Sequence, residues 1–129
     1  GDGGPALEAT MNGPKHLSID RDGTVLIADT ENHRIVRYDP KAETITAVAG
    51  TGKKGSGGIG GDPLKAEFNQ PHGVIAHPKT GEIYISDAAN GRVARYEVDL
   101  LGPEGGMCTY DVTIKPMAAK QKGGRFLLC

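Results

Sequence analysis

The sequence predicts an all-β fold made of two tandem four-stranded antiparallel meanders. Three observations carry that prediction. The stretch "DTENHRIVRYD" (29–39) returns 58 positions later as "DAANGRVARYE" (87–97). Short runs rich in β-branched and aromatic residues alternate with Gly, Pro, Asn and Asp turn chemistry. Runs such as "VLIADT" set apolar residues side by side, as strands covered on both faces do.

The duplication reaches beyond that phrase. "GGPALEATMNGPKHLSID" (3–20) aligns with "GGDPLKAEFNQPHGVIAH" (60–77) at a spacing of 57, matching Leu7 with Leu64, Ala9 with Ala66, Asn12 with Asn69 and Pro14 with Pro71. Met11 and Phe68 are both large and apolar. One extra residue in the "HPKTG" turn then moves the spacing to 58, matching Asp29, Asn32, Arg34, Arg37 and Tyr38 with Asp87, Asn90, Arg92, Arg95 and Tyr96. Such density marks a tandem structural unit.

A lone meander cannot bury both of its faces. Radial stacking of copies covers them, which is the propeller solution; a linear two-sheet sandwich is the structural alternative. Residues 1–15 are expected as a Gly-rich inter-blade segment. Blade 1 spans 16–50, with strands "HLSID" (16–20), "VLIADT" (25–30), "RIVRYD" (34–39) and "ITAVAG" (45–50). "RDG" closes its first turn, with Gly23 free to take φ > 0. "TENH" closes the second, where Asp29 and Asn32 can bond nearby backbone N–H groups. "PKAE" closes the third, with Pro40 at an early turn position. Residues 51–72 form a Gly-rich crossover. Blade 2 covers 73–116, with "GVIAH", "EIYISDA", "RVARYEV" and a fourth strand at "CTYDVTIK" (108–115), and 117–129 form a C-terminal tail.

Residues "PKHLSIDRDGTVLIADTENHRIVRYD" resemble an NHL repeat, with Asn32-His33-Arg34-Ile35 at the signature position and Asn90-Gly91-Arg92-Val93 in the second copy. The approach "GTGKKGSGGIGGDPLKAEFNQP" resembles the inter-blade segment of bacterial members. The resemblance covers roughly residues 1–98 and stops short of the last 31. It implies a β-propeller, in that family typically six-bladed. Two blades do not close such a ring. Because the chain opens inside the Gly-rich motif, part of a longer propeller is favoured. Self-association is second, three copies supplying six blades. A solitary two-sheet unit with an exposed edge is third.

Composition narrows the function classes. Leu, Ile, Val and Phe total 26 of 129 residues, the lower range for a packed core. The net charge is −1, so no global field attracts nucleic acid or an anionic membrane. Residues 1–70 carry 8 positive and 10 negative groups, without the basic stripe of RNA-binding NHL propellers. Lys115, Lys120, Lys122 and Arg125 form a modest basic cluster, read as a solvated terminal segment. No apolar run reaches the ~20 residues of a membrane span. A soluble protein is expected, and a secreted or periplasmic one fits if an upstream signal was removed. Cys108 and Cys129 are read as two spare thiols, with pairing left open.

Candidate chemistry is sparse. "GTGKKG" (50–55) fits G-x-G-x-x-G, yet "SGGIGGDP" follows, which cannot open the helix a dinucleotide site requires. No HExxH, CxxC or EF-hand pattern stands in the chain, and no metal or cofactor is implied. Ser18, Ser56 and Ser86 sit in no nucleophile elbow. Up-and-down topology puts the approach to each first strand and each strand 2–3 turn at one end. By resemblance, propellers bind ligands there. The candidate ligand- or partner-binding residues are therefore Lys15, His16, Asn32, His33, Arg34, His72, Asn90 and Arg92. Each has a plainer reading. His16 and His72 do not align with each other and read as half-buried, hydrogen-bonded histidines. His33 reads as a packing or capping contact, and His77 as an exposed turn residue. Repetition of Asp29/Asn32/Arg34 and Asp87/Asn90/Arg92 favours a structural task in which the Asp orders the turn and pairs with the Arg. Arg37 and Arg95 are expected against a neighbouring blade, with stems packed and heads at the rim.

The expected function is a non-catalytic scaffold that engages a protein or small ligand at this end, or a second copy of itself. One rival is part of a lyase- or lactonase-like propeller enzyme whose site other blades complete. The other is an RNA-binding module.

Overall fold

The computed structural model describes residues 3–99 and 111–116. It is all-β, with strands β1 (Gly4–Pro5), β2 (His16–Ile19), β3 (Val25–Asp29), β4 (Arg34–Asp39), β5 (Thr44–Ala49), β6 (Pro71–Ala76), β7 (Ile83–Asp87), β8 (Arg92–Asp99) and β9 (Asp111–Pro116). These form two separate antiparallel sheets, ordered β1-β5-β4-β3-β2 and β6-β7-β8-β9. Short 3-10 turns provide the helical geometry among the described residues, so no helix there is long and apolar enough to cross a membrane.

The first sheet departs from the expected four strands. Gly4 and Pro5, expected in an inter-blade segment, pair antiparallel with Ile45 and Thr44 on the outer strand β5. Gly3 donates to the Ile45 carbonyl at 2.6 Å, and Ala6 to that of Glu43 at 2.8 Å. A two-residue strand has no periodicity to reveal it; the free edge of β5 recruits the nearest unpaired backbone.

Register sorts the first sheet into two apolar faces. Leu17, Ile27, Val36 and Ala47 lie in one cross-strand row, and Ile19, Val25, Tyr38 and Ile45 in the next on that face. The opposite face carries Ser18, Leu26, Ala28, Ile35 and Ala49. In the second sheet Val74, Ile85 and Ala94 share a row, flanked on the same face by Ala76, Ile83 and Tyr96.

The core is the seam between the sheets. Leu26, Ala28, Ile35 and Ala49 from the first meet Val74, Ile83, Ile85 and Ala94 from the second. Phe68 and Ala66 of the connecting segment fill the gap, and both are fully buried. The first strand of the second sheet, β6, lies against β2 and β3. The sheets therefore pack face to face, and not as one continuous sheet.

The Gly-rich crossover is ordered by backbone bonds. Gly50 donates to the Pro63 carbonyl at 2.9 Å, and Thr51 to that of Ala66 at 2.9 Å. Gly50 has φ +97°, and a Cβ there would stand 2.7 Å from the His33 carbonyl oxygen, so only glycine fits this approach. No helix opens directly after "GTGKKG"; a single 3-10 turn, Pro63–Lys65, comes only at the end of "SGGIGGDP". Asp62 caps it by accepting from Leu64 N–H at 3.0 Å, and Pro63 supplies a preset φ at its first position.

Candidate functional site

The two strand 2–3 turns are built alike. Each begins with a wholly buried aspartate, runs through a 3-10 turn (Thr30–Asn32 or Ala88–Asn90), and ends on a left-handed residue, His33 at φ 52° or Gly91 at φ 63°. Three donors converge on each carboxylate. Asn12 N–H reaches Asp29 Oδ1 at 2.8 Å, while Asn32 Nδ2 and Arg34 Nε each reach Oδ2 at 2.9 Å. In the second copy Asn69 N–H, Asn90 Nδ2 and Arg92 Nε reach Asp87 at 2.8, 2.8 and 2.7 Å. A buried carboxylate is tolerated only when so paired and hydrogen-bonded. The repeated Asp-x-x-Asn-x-Arg spelling is thus a turn-locking node.

The second node also fastens the Gly-rich loop. Arg92 Nη1 donates to the Ser56 carbonyl at 2.8 Å and Nη2 to that of Glu67 at 2.9 Å. Asn90 Nδ2 adds a 2.7 Å bond to the Gly55 carbonyl. In the first copy Arg34 Nη2 makes the corresponding, longer contact to the Thr10 carbonyl at 3.5 Å.

Lys15, His16 and His72 stand at the same end, exposed at the starts of β2 and β6. His16 was expected to be half-buried. It is exposed, and its Nδ1 accepts from Val74 N–H at 3.4 Å. His72 is likewise exposed, placed outward by the register shift between Pro71 and Gly73. His77 is half-buried where exposure was expected, because its Nδ1 accepts from Lys79 and Thr80 N–H at 3.1 and 3.2 Å and so caps its own turn.

His33 joins the two copies. Its Nδ1 accepts from Gln70 N–H at 3.1 Å, and Gln70 Nε2 reaches back to Glu31 Oε2 at 3.2 Å. Beside them Thr30 Oγ1 donates to the Pro71 carbonyl at 2.8 Å. Up-and-down topology puts Thr30, Glu31 and Gln70 at this end as well, although the sequence offers no motif that names them as binding candidates. Their signal lay in a difference between the copies: Thr30, His33 and Gln70 align with Ala88, Gly91 and Gly13. A seam that occurs once within the chain needs its polar latch once.

Arg37 lies in the Leu26 row, on the face of the first sheet that packs against the second, close enough to Tyr96 for its charge to act on the phenol. It turns to the β2–β3 turn of its own sheet, meeting Asp20 at 3.0 Å and Thr24 Oγ1 at 2.7 Å, because the register sets it opposite Leu26 near that turn. In the same turn, hydrogen bonds from Thr24 hold the Asp22 carboxyl below the usual carboxylate range. Burial pushes the Tyr96 phenol up. Both groups lie away from the candidate end. Among the described residues, no group of three or more His, Cys, Asp and Glu is placed to hold a metal ion. Cys108 and Cys129 lie outside the described residues.

The family model for the NHL repeat matches residues 11–38 and 68–96, the two copies described above. The chain is similar to NHL repeat-containing protein 2 of Gallus gallus, 28% identical over 85% of this chain and 16% of that protein. It is similar to the Homo sapiens protein of that name, 41% identical over 62% of this chain and 11% of the relative. A third relative is protein SUPPRESSOR OF QUENCHING 1, chloroplastic, of Arabidopsis thaliana, 30% identical over 75% of this chain and 9% of that protein. The chain therefore spans less than a fifth of the length of these curated relatives. Both copies of the buried Asp-Asn-Arg node fall inside the matched segments, and the chain belongs to the NHL-repeat family.

Proposed function

We propose that this chain is a non-catalytic repeat module that holds a protein partner at the end of its sheets bearing the β3–β4 and β7–β8 turns. The observation that carries this reading is the pair of identical buried nodes beneath those turns. They fix the backbone of both turns without using the outward side chains. Glu31, Ala88 and Ala89 stand exposed above them, with Lys15, His16 and His72 alongside. Loops held by a rigid scaffold are where recognition concentrates. The mixed charge of this end suits a protein surface better than a polyanion.

Site-specific photo-crosslinking tests the proposal. A photoreactive residue at Ala89 captures a discrete partner from the source cell, whereas one at Lys41, on the opposite end, does not. Equal capture from both ends overturns it. The rival reading as part of a lyase- or lactonase-like enzyme rests on resemblance, and calcium or zinc separates the two. The scaffold keeps its thermal midpoint unchanged, while a partial metal site raises it.

A further inference from the structure

We propose that the seam between the two repeats is a proton-operated latch: when His33 and His16 take up a proton, the first repeat releases the Gln70 and Val74 amides of the second. Both histidines belong to the first copy, and both hold the second through Nδ1. His33 Nδ1 accepts from Gln70 N–H at 3.1 Å, and His16 Nδ1 from Val74 N–H at 3.4 Å. A ring that accepts at Nδ1 is neutral and carries its proton on Nε2. The imidazolium has no acceptor, so protonation sets one N–H against another at both contacts. The aligned positions in the second copy are Gly91 and Gly73, so the pair of rings stands in the first copy alone.

Glu31 gives the released ring a new partner. It stands two residues before His33 on the same turn, and its carboxylate accepts from Gln70 Nε2 at 3.2 and 3.3 Å. In the neutral state Gln70 therefore bridges the two, with its backbone N–H on the ring and its side chain on the carboxylate. A positive ring draws that carboxylate to itself, because the charge-assisted bond is the stronger one. The exchange gives up both Gln70 contacts at once, and a bond between repeats becomes a bond within one turn.

The other charges near the latch are already paired or stand apart from His33. Asp29 and Arg34 meet each other at 2.9 Å. The crossover meets the turn through Gly50 and Gly52, and Asn69, Gln70 and Pro71 bring no charge. His16 has Lys15 before it, Ala28 opposite on β3, and His72 on β6. The Thr30 bond to the Pro71 carbonyl and the apolar seam do not titrate with histidine, so the sheets stay together while the entry to β6 loosens. The latch does not depend on what the turn end binds.

Amide hydrogen exchange of the 129-residue chain, corrected for the intrinsic effect of pH, tests it. From about pH 8 to about pH 5, where histidine titrates, protection at Gln70 falls roughly three- to tenfold, the worth of one hydrogen bond. Val74 follows to a smaller extent. Asn69 N–H, held by Asp87 at 2.8 Å, keeps its protection and serves as the reference for general unfolding. His33→Asn does not titrate, suits the left-handed backbone there, and abolishes the fall. Glu31→Gln moves the fall to lower pH, because the charged ring loses its receiver. If His33→Asn fails to fold by circular dichroism, the imidazole nitrogen signals of the unaltered chain decide, and an unprotonated His33 Nδ1 at the higher pH supports the latch. Protection at Gln70 that does not change with pH overturns the inference. So does a fall shared equally by Asn69, one that survives in His33→Asn, one that Glu31→Gln does not move, or a proton on His33 Nδ1 at the higher pH.

Discussion

Arg92 Nε donates to Asp87 Oδ2 at 2.7 Å, and the carboxylate is fully buried while the guanidinium side chain stays 21% exposed. The pair joins an interior charge to a fork that reaches outward, where its other nitrogens hold the Ser56 and Glu67 carbonyls. The charge is interior, so solvent cannot replace a lost partner.

Asp87→Ala is expected to destabilise the fold by about 3–5 kcal/mol, because it strands the Arg92 charge and two further donors. Urea unfolding checks this, with the midpoint falling at unchanged slope. A loss below ~1 kcal/mol would mean that the node is dispensable.

Thr30→Val keeps the side-chain shape and deletes the hydroxyl that bridges to the Pro71 carbonyl across the seam. The expected cost is about 1–3 kcal/mol, that of a buried acceptor left without its donor. Thr46→Val, at an exposed position of β5, serves as the control and stays within ~0.5 kcal/mol.

Phe68 and Met11 occupy equivalent positions, yet Phe68 is fully buried and Met11 is 40% exposed. Phe68→Ala is expected to cost about 3–5 kcal/mol in equilibrium unfolding, and Met11→Ala about 1 kcal/mol or less. Equal costs would mean that the two sheets are covered alike.

Hydrogen bonds from the Thr24 hydroxyl and amide favour the ionised Asp22 carboxyl. Its folded pKa lies below its unfolded one, ordinarily about 3.9. The stabilisation is therefore complete above the unfolded value and is lost as pH falls through the folded value. Carboxyl carbon NMR should place the Asp22 midpoint below the ordinary range, and Thr24→Val should move it upward. An unmoved midpoint would show that Thr24 is not the cause.

Much of the fold was legible because it is written twice. Asp29, Asn32 and Arg34 recur at fixed spacing as Asp87, Asn90 and Arg92, and their convergence on one carboxylate follows from donor and acceptor chemistry. Strands β3, β4, β7 and β8 were readable from their β-branched runs. The Gly4–Pro5 strand was not, since two residues carry no pattern and the pairing answers the free edge of β5. The pairing of Arg37 with Asp20 was also illegible, because register rather than composition sets it near that turn. At the candidate end, sequence placed Thr30, Glu31 and Gln70 beside His33 but assigned them no role, because their roles exist only once two sheets are juxtaposed. Repetition reveals what every copy shares, while the contact between copies is encoded where they differ.

The short β1 strand also decides in which direction the unit can be extended. Pro5 has no N–H to offer a newcomer, and only Gly4 accompanies it, so the outer margin of the first sheet is a poor template for lateral pairing. A proline-tipped selvedge of this kind guards against fibril-like accretion.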